Sequence, residues 1–319
     1  MNHLVIGCGE VGKALMEVLG CAGYDPQKGY MDRDGVSCDM MHVCIPYQAE
    51  RPDGWSENVV WQSFEQWVLD YKAMFRPSFT VIHSTVPIGT SDLLGAHHSP
   101  IRGRHPHLAA SIRTFQKYVG GPDAVVICQE LQKFGIETIA CSSSRDTEAG
   151  KLIDLMQFGQ SVLLEKTIHD FCTANSLDYD LVYRHFNKSY NTGYRAMGDD
   201  RFIRPILDHV DGPIGGHCVV QNMKWLPMKE ADQIIHANEK LSRPPEAIAN
   251  AKLIDAAPDL LQALEIVDSA FESLSEFQTL TSVPPELKAQ LSAAWGAASA
   301  AISKARGLNM KVMEEKEPA

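Results

Sequence analysis

Six residues near the start of the chain, Gly7-Cys8-Gly9-Glu10-Val11-Gly12, constrain its fold more than any other stretch. The apolar run Leu4-Val5-Ile6 leads into them, and Val11 to Leu19 has apolar residues at helical spacing, so the segment reads as strand, tight turn and helix. In such a unit Gly7 permits the turn, Gly9 lets backbone approach a pyrophosphate, and Gly12 allows close packing of helix on strand. The helix N-terminus then presents unpaired N–H groups and the positive end of its dipole to phosphate.

Gly23-Tyr24-Asp25-Pro26 follows as a second strand ending in an acid. Asp25 is placed to accept bonds from ribose hydroxyls and to repel a 2′-phosphate, which favours NAD over NADP. Met40 to Ile45 and Thr80 to His83 are further apolar strands, with a helix expected between them over Val60 to Met74. Alternating strands and helices imply a parallel sheet covered on both faces, continuing to about Ile139. From Ser144 the pattern changes. Asp146 to Ala174 reads as one long helix capped by Ser144 or Asp146, and Asp178 to Asn187 as a second, capped by Asp178. The expected architecture is α/β: a Rossmann-type parallel sheet domain over 1–142, an all-helical domain over 143–230 and a helical tail over 231–319.

Charge and composition exclude several function classes. The formal net charge of −11 argues against nucleic acid as a partner, which needs a surplus of Lys and Arg, but leaves room for a small anionic ligand in a local basic pocket. No apolar run is long enough for a membrane span, and the start lacks the regions of a signal peptide. The eight cysteines are scattered and several sit in apolar runs, as expected of reduced thiols in a cytoplasmic protein. His97, His98, His105 and His107 fall in one loop region, but their spacing matches no metal site, and no metal is expected.

Four motifs occur in a telling order: the glycine turn, Cys44-Ile45-Pro46, Ser84-Thr85-Val86-Pro87-Ile88-Gly89-Thr90, and Gly215-Gly216-His217-Cys218. Over about residues 1–230 the chain resembles the UDP-glucose/GDP-mannose (nucleotide-sugar) dehydrogenase family, and its GGHC form is closest to the N-acetyl-hexosamine branch. The resemblance implies NAD bound by the glycine turn with Asp25, Cys44, Pro46, Ser84 and Thr85. It makes Cys218 the nucleophile that captures an aldehyde as a thiohemiacetal, with His217 and Gly216 beside it. Glu148-Ala149-Gly150-Lys151-Leu152 matches the family's Glu-x-x-Lys-Leu, giving Lys151 the role of binding the substrate and stabilising an alkoxide. In the family the long helix builds a dimer, so a homodimer is expected.

The chain also departs from that pattern. Asn222 stands where the family has an acid four residues after its cysteine; an amide is a poor general base but can orient water or substrate, so Asn222 is a candidate to position the reacting alcohol with Lys151. Leu155 replaces the family's asparagine after the lysine, and Pro106-His107 replaces its Pro-Glu, leaving His107 as a candidate base. Arg102 and Arg104 are candidates to hold an anionic group of the substrate, and Asn187 and Tyr190 to contact it. The family's C-terminal nucleotide-binding domain is not expected in 231–319, where Ala249 to Leu261 resembles a stretch recurring in phage-encoded proteins. These features support an NAD-dependent oxidation of an alcohol through Cys218. A single two-electron oxidation of the β-hydroxyacid type and a non-catalytic NAD-binding protein are the alternatives.

Overall fold

A computed structural model of the chain describes residues 1–30, 38–47, 63–103, 106–215 and 218–242. It divides into two compact units, Met1–Leu241 and Ser242–Ala319. The expected tail helices from 243 onward, and Arg104, His105, Gly216 and His217, lie outside the described residues.

The first unit is built on a seven-stranded sheet of order β2-β1-β3-β4-β5-β6-β7. Its strands are β1 (His3–Ile6), β2 (Ala22–Tyr24), β3 (Met40–Val43), β4 (Phe79–Ile82), β5 (His97–His98), β6 (Lys117–Gly120) and β7 (Thr138–Cys141). β1 to β5 are mutually parallel, as the alternation of elements predicts. The expectation of a wholly parallel sheet fails at one junction, where β6 runs antiparallel to β5 and β7 then follows β6 in parallel. β5 has only two residues, too short to show a period in sequence.

Alternate residues of β1 and β3 face opposite layers. Val5 and Met40 point into a core with α1 (Glu10–Leu19), α4 (Leu108–Thr114) and α5 (Ala124–Gln132). Leu4, Ile6, Met41 and Val43 point the other way, against α2 (Phe64–Phe75) and the end of β4. α2 starts at its Ser63 cap, whose Oγ accepts from Gln66 N–H, so the helix begins later than the expected Val60; 48–62 lies outside the described residues.

The glycine turn has the geometry its sequence requires. Gly7 sits at φ +87°, and a Cβ on Gly12 would stand 1.9 Å from the Gly7 carbonyl oxygen. α1 and β1 approach this closely only without that side chain. The chain steps from β1 to β2 on one side and to β3 on the other, so the turn and Cys44-Ile45-Pro46 flank a topological switch point, the place where such sheets bind ligands.

After β7 the chain enters α6 (Ser144–Ala174), the expected long helix of 31 residues. Its cap is Ser143, whose Oγ accepts from Arg145 N–H, rather than Ser144 or Asp146. The Ser144 hydroxyl instead donates to Asp92 in α3 (Thr90–Leu93). Asp178 does cap the next helix, accepting from Leu181 N–H, but the helix outruns the expected Asn187: a π-helical stretch, Asp180–His185, continues as α7 (Phe186–Ala196). An extended segment then returns along α6 and ends at α8 (Val220–Met223) and α9 (Lys229–Leu241). The last of these packs on α6 within the first unit, so the boundary at 231 falls inside a helix.

Two alanine substitutions separate the uses of glycine here. Gly12→Ala is expected to lower stability by about 3 kcal/mol or more through overpacking, whereas Gly150→Ala, in α6 with nothing within 4 Å of the added Cβ, is expected to raise it by up to about 1 kcal/mol. Urea unfolding of both variants checks the contrast.

Candidate active site

A chain of contacts joins the sequence motifs at the carboxyl edge of the sheet. A Cβ on Gly7 would stand 2.7 Å from Ile45 Cγ2, so the glycine turn lies directly against the segment after β3. Ser84 Oγ donates to the Ile45 carbonyl and ties the end of β4 to the same segment. Tyr47, two residues on, meets the Trp225 ring edge-on at 5.0 Å. Ile88 packs into the cluster formed by Leu152, Leu155 and Met156 of α6 with Ile214, Val219 and Met223. Widely separated stretches of sequence thus meet at one edge.

Glu148 is the fastener. Its side chain is fully buried, and its two oxygens accept from Gly89 N–H at 2.5 Å and Ser91 N–H at 2.8 Å. Burial pushes its pKa up while those N–H groups pull it down. The Glu-x-x-Lys motif therefore divides its labour: the glutamate grips the Ser84–Thr90 loop, and Lys151, one turn later, is left half-buried beside it.

Burial lowers the Lys151 pKa, Asp154 and Cys218 oppose that shift, and Arg102 reinforces it. Lys151, Cys218 and Arg102 are thus electrostatic neighbours although 67 residues separate the first two in sequence. Cys218 is exposed. The loop carrying it is held from α6 and α9: Lys166 Nζ donates to the Val210 and Gly212 carbonyls, and Ile214 N–H donates to Asn238 Oδ1 at 2.7 Å. Gly159 lets Val219 and Ile234 come so close that an added Cβ would stand 2.9 and 2.7 Å from their side chains.

Several expected site residues are engaged in the fold itself. Asn222 Nδ2 donates to the Cys218 carbonyl at 2.7 Å, so the amide braces the loop. Asp25 Oδ2 accepts Cys8 N–H at 2.9 Å, with Lys28 Nζ 3.9 Å away. The Cys8 side chain is buried under the turn, its thiol pushed up to about 11 by burial first and Asp25 second. Gly9 is the N-cap of α1, and Glu10 and Val11 open the helix. Cys44 is half-buried, its thiol pushed up to about 12 by burial, while Pro46 is exposed and Thr85 half-buried at the sheet edge.

Arg102 donates to the Gln116 carbonyl and lies over the Tyr118 ring at 5.1 Å. His107 is exposed at the N-cap of α4. Asn187 and Tyr190 both engage Arg204, the first by accepting a hydrogen bond at 3.3 Å, the second with its ring 3.7 Å below the guanidinium. His97 and His98 point to opposite faces of β5; His97 meets Asp123 N–H and the Thr80 carbonyl, His98 the Thr147 hydroxyl and the Ser84 carbonyl.

Two residues escaped the sequence reading. Asp154 lies one turn after Lys151 and has no motif to mark it. Lys117 in β6 is buried, donates to the Ser99 and Pro100 carbonyls at 2.9 and 3.3 Å, and has its pKa lowered to about 7 by burial, with Cys44 opposing and Lys151 and Arg102 reinforcing. A lysine inside the strand-like run Gln116-Lys117-Tyr118-Val119 was the available signal.

Gly7 and Gly12 let β1, α1 and the Ile45 segment close up, and at Gly9, the N-cap of α1, an added Cβ would meet only Lys28 Nζ at 3.3 Å; such a helix N-terminus beside a lysine fits a dinucleotide pyrophosphate. Among solved structures the chain is similar to the UDP-D-ManNAc dehydrogenase of Pyrococcus horikoshii (15% identity, TM-score 0.58), over 82% of this chain and 72% of that one. It is also similar to Mycobacterium tuberculosis 3-hydroxyisobutyrate dehydrogenase (12%, 0.54; 75% and 92%) and to a UDP-glucose dehydrogenase of Pyrobaculum islandicum (13%, 0.54; 75% and 68%). The fold is thus the Rossmann-like fold of these dehydrogenases. A family model described as Salmonella phage P22 protein Y8K6 matches residues 207–309. No curated protein matches the chain in sequence.

Two substitutions test the site's construction. Glu148→Ala removes two charge-assisted hydrogen bonds from buried N–H groups and is expected to cost roughly 3 kcal/mol or more, measured by chemical denaturation. For Lys117→Met the prediction is a pH slope. A lysine whose folded pKa is lowered stabilises the fold least below that pKa and most above its unfolded value. The stability of the variant relative to the native chain should therefore fall as pH rises from 7 toward 10.5; a flat difference would show that Lys117 keeps an ordinary pKa.

Proposed function

We propose that the chain is a nicotinamide-dinucleotide-dependent dehydrogenase that oxidises an alcohol carbon of a sugar-like or hydroxy-acid substrate bearing an anionic group. The observation that carries this reading is the joining of the glycine turn, the Ile45 segment, the Ser84–Thr90 loop and the Glu-x-x-Lys start of α6 at one sheet edge. The likeness in fold to nucleotide-sugar and hydroxy-acid dehydrogenases supports it. When bound, the nicotinamide supplies the hydride acceptor. Gly9 leaves room for the pyrophosphate at the N-terminus of α1, which Gly7 and Gly12 let pack closely on β1, and Asp25 would accept from the ribose and favour NAD.

The chain's own residues then handle charge and protons. Lys151, with its lowered pKa, holds the alcohol oxygen and accepts its proton as the carbon is oxidised. Arg102 and Lys117 add positive charge that suits an anionic substrate in an otherwise acidic protein. For oxidation to the acid, the Cys218 sulfur adds to the aldehyde carbon and the thiol proton passes to the former carbonyl oxygen, giving a thiohemiacetal. That species gives up its hydride to a second oxidised nicotinamide and its hydroxyl proton to Lys151, and water hydrolyses the resulting thioester on Cys218 to the acid and the free thiol. The two-electron alternative, ending at the carbonyl, draws support from the 92% coverage of the hydroxyisobutyrate dehydrogenase and from Asn222 being tied to the loop backbone.

We propose a homodimer as the working form. Phe158, Leu164 and Phe171 of α6, with Leu181, Val182 and Phe186 after it, are exposed large apolar side chains concentrated in one helical region, more than a monomer's scattered surface residues account for. A second copy of the chain is the proposed occupant. The eight free cysteines support placement in the reducing cytoplasm. Among the described residues no helix is long and apolar enough to cross a membrane.

The test begins with NADH and NADPH titrations of the purified protein. Binding at a hundredfold excess over Kd should add about 2.7 kcal/mol to stability; no binding of either would end the dehydrogenase reading. Turnover against nucleotide sugars and β-hydroxy acids follows. Two NADH per substrate, and a loss of at least about 100-fold in Cys218→Ser, support the thiohemiacetal route. One NADH, with full activity in that variant, supports the two-electron route. Phe171→Glu is expected to halve the mass in solution.

A further inference from the structure

Three buried imidazoles cross the sheet in series. His3 stands at the start of β1, His42 inside β3, and His83 just past the end of β4, beside Ser84 and Thr85. All three are almost wholly removed from solvent. His3 Nδ1 meets His42 Nε2 at 2.9 Å, and His42 Nδ1 meets His83 Nε2 at 2.9 Å. The ring planes lie within 13° and 21° of parallel with centres 5.2 and 5.1 Å apart, so the rings stand edge to edge and the N···N contacts run in their planes. At the inner end His83 Nδ1 meets the Ser99 carbonyl at 2.6 Å; at the outer end His3 Nε2 meets Glu130 Oε1 at 3.3 Å.

Both ends of this row are acceptors. Ser99 ends it with a carbonyl oxygen. Glu130 ends it with a carboxylate that also takes Lys133 and the Met1 ammonium, which hold its pKa down to about 2. The row therefore has four contacts, each needing one proton between two heavy atoms, and three neutral imidazoles supply only three N–H groups. Whichever tautomers are chosen, one contact is left with two acceptors facing each other.

We propose that His3, His42 and His83 form a proton relay that stores one excess proton and passes it between His3, at the Glu130 end, and His83, just past the end of β4. At rest His3 is doubly protonated against Glu130, and His42 and His83 are neutral Nδ1–H tautomers donating inward. Transfer is balanced and moves no heavy atom: the His3 Nδ1 proton passes to His42 Nε2, the His42 Nδ1 proton to His83 Nε2, leaving His3 neutral and His83 doubly protonated. The surrounding charges favour the outer position. Glu130 and Asp39 face His3 with the Met1 ammonium opposing, while Lys117 and His98 oppose a charge at His83. Burial is the largest influence on all three rings and lowers each pKa, His3 included and His42 and His83 most, so the unfilled fourth contact is what calls for the extra proton. The relay stands whether or not the chain oxidises an alcohol.

Long-range ¹H–¹⁵N spectra of the full-length protein, labelled with ¹⁵N-histidine, read the protonation of each ring nitrogen at pH 7. The expected result is four protonated nitrogens among the three rings, two of them on His3; three would overturn the proposal. His42→Leu distinguishes a relay from a simple His3–Glu130 ion pair. With the row cut, His3 should become a neutral Nε2–H tautomer while His83 keeps its Nδ1 proton. A His3 that stays doubly protonated in this variant shows an isolated ion pair and overturns the relay. Glu130→Gln, whose amide can itself donate to His3, should reduce the count from four to three. Should either variant fail to fold, the native spectrum alone decides.

Discussion

The Glu148 carboxylate is the interaction on which the rest of the site depends. A buried, ionisable acid is costly unless its oxygens are occupied. Here they are occupied by the N–H groups of Gly89 and Ser91, groups that the loop after β4 leaves without partners in a helix of four residues. The need is mutual, and it fixes the start of α6 against the sheet edge. Lys151 takes its position from that junction, as does Ile88, which carries the loop into the cluster under Val219.

The same logic of paired need governs the charges inside the sheet. Lys117 and the three imidazoles are polar groups in a layer otherwise made of Val, Met and Leu. They converge on one acceptor, the Ser99 carbonyl, from two sides. Lys117 has no carboxylate among its bonds, and the charges of Lys151 and Arg102 lower its pKa beyond what burial does.

Much of the fold was legible because its signals are local. The glycine turn, the strand ending at Asp25 and the long α6 helix each declare themselves through spacing within one element. The antiparallel junction was not legible, since β5 is two residues long and its partner is fixed by pairing at His98 and Gly120. The candidate site divides the same way. Lys151 and Cys218 were marked by motif order, and the charge of Cys218 is among those that act on Lys151. Asn222 and Asp25 were assigned ligand roles, and their bonds to the Cys218 carbonyl and Cys8 N–H depend on chain geometry that sequence does not display. Glu148 showed only as a letter in a motif, because its partners are backbone N–H groups that carry no residue identity.

α6 does more than connect the sheet to the later helices. It carries Lys151 near its start, admits Val219 against Gly159 two turns later, and holds the Val210 and Gly212 carbonyls through Lys166 further on. Lys151 and the segments flanking Cys218 are therefore both held to one rod, with Asn238 of α9 as a second hold through Ile214 N–H. A rocking of that rod against the sheet would change the distance of both from the glycine turn and leave their mutual spacing as it was. Lys151 and the Cys218 segment would then move as one part, and the glycine turn as another.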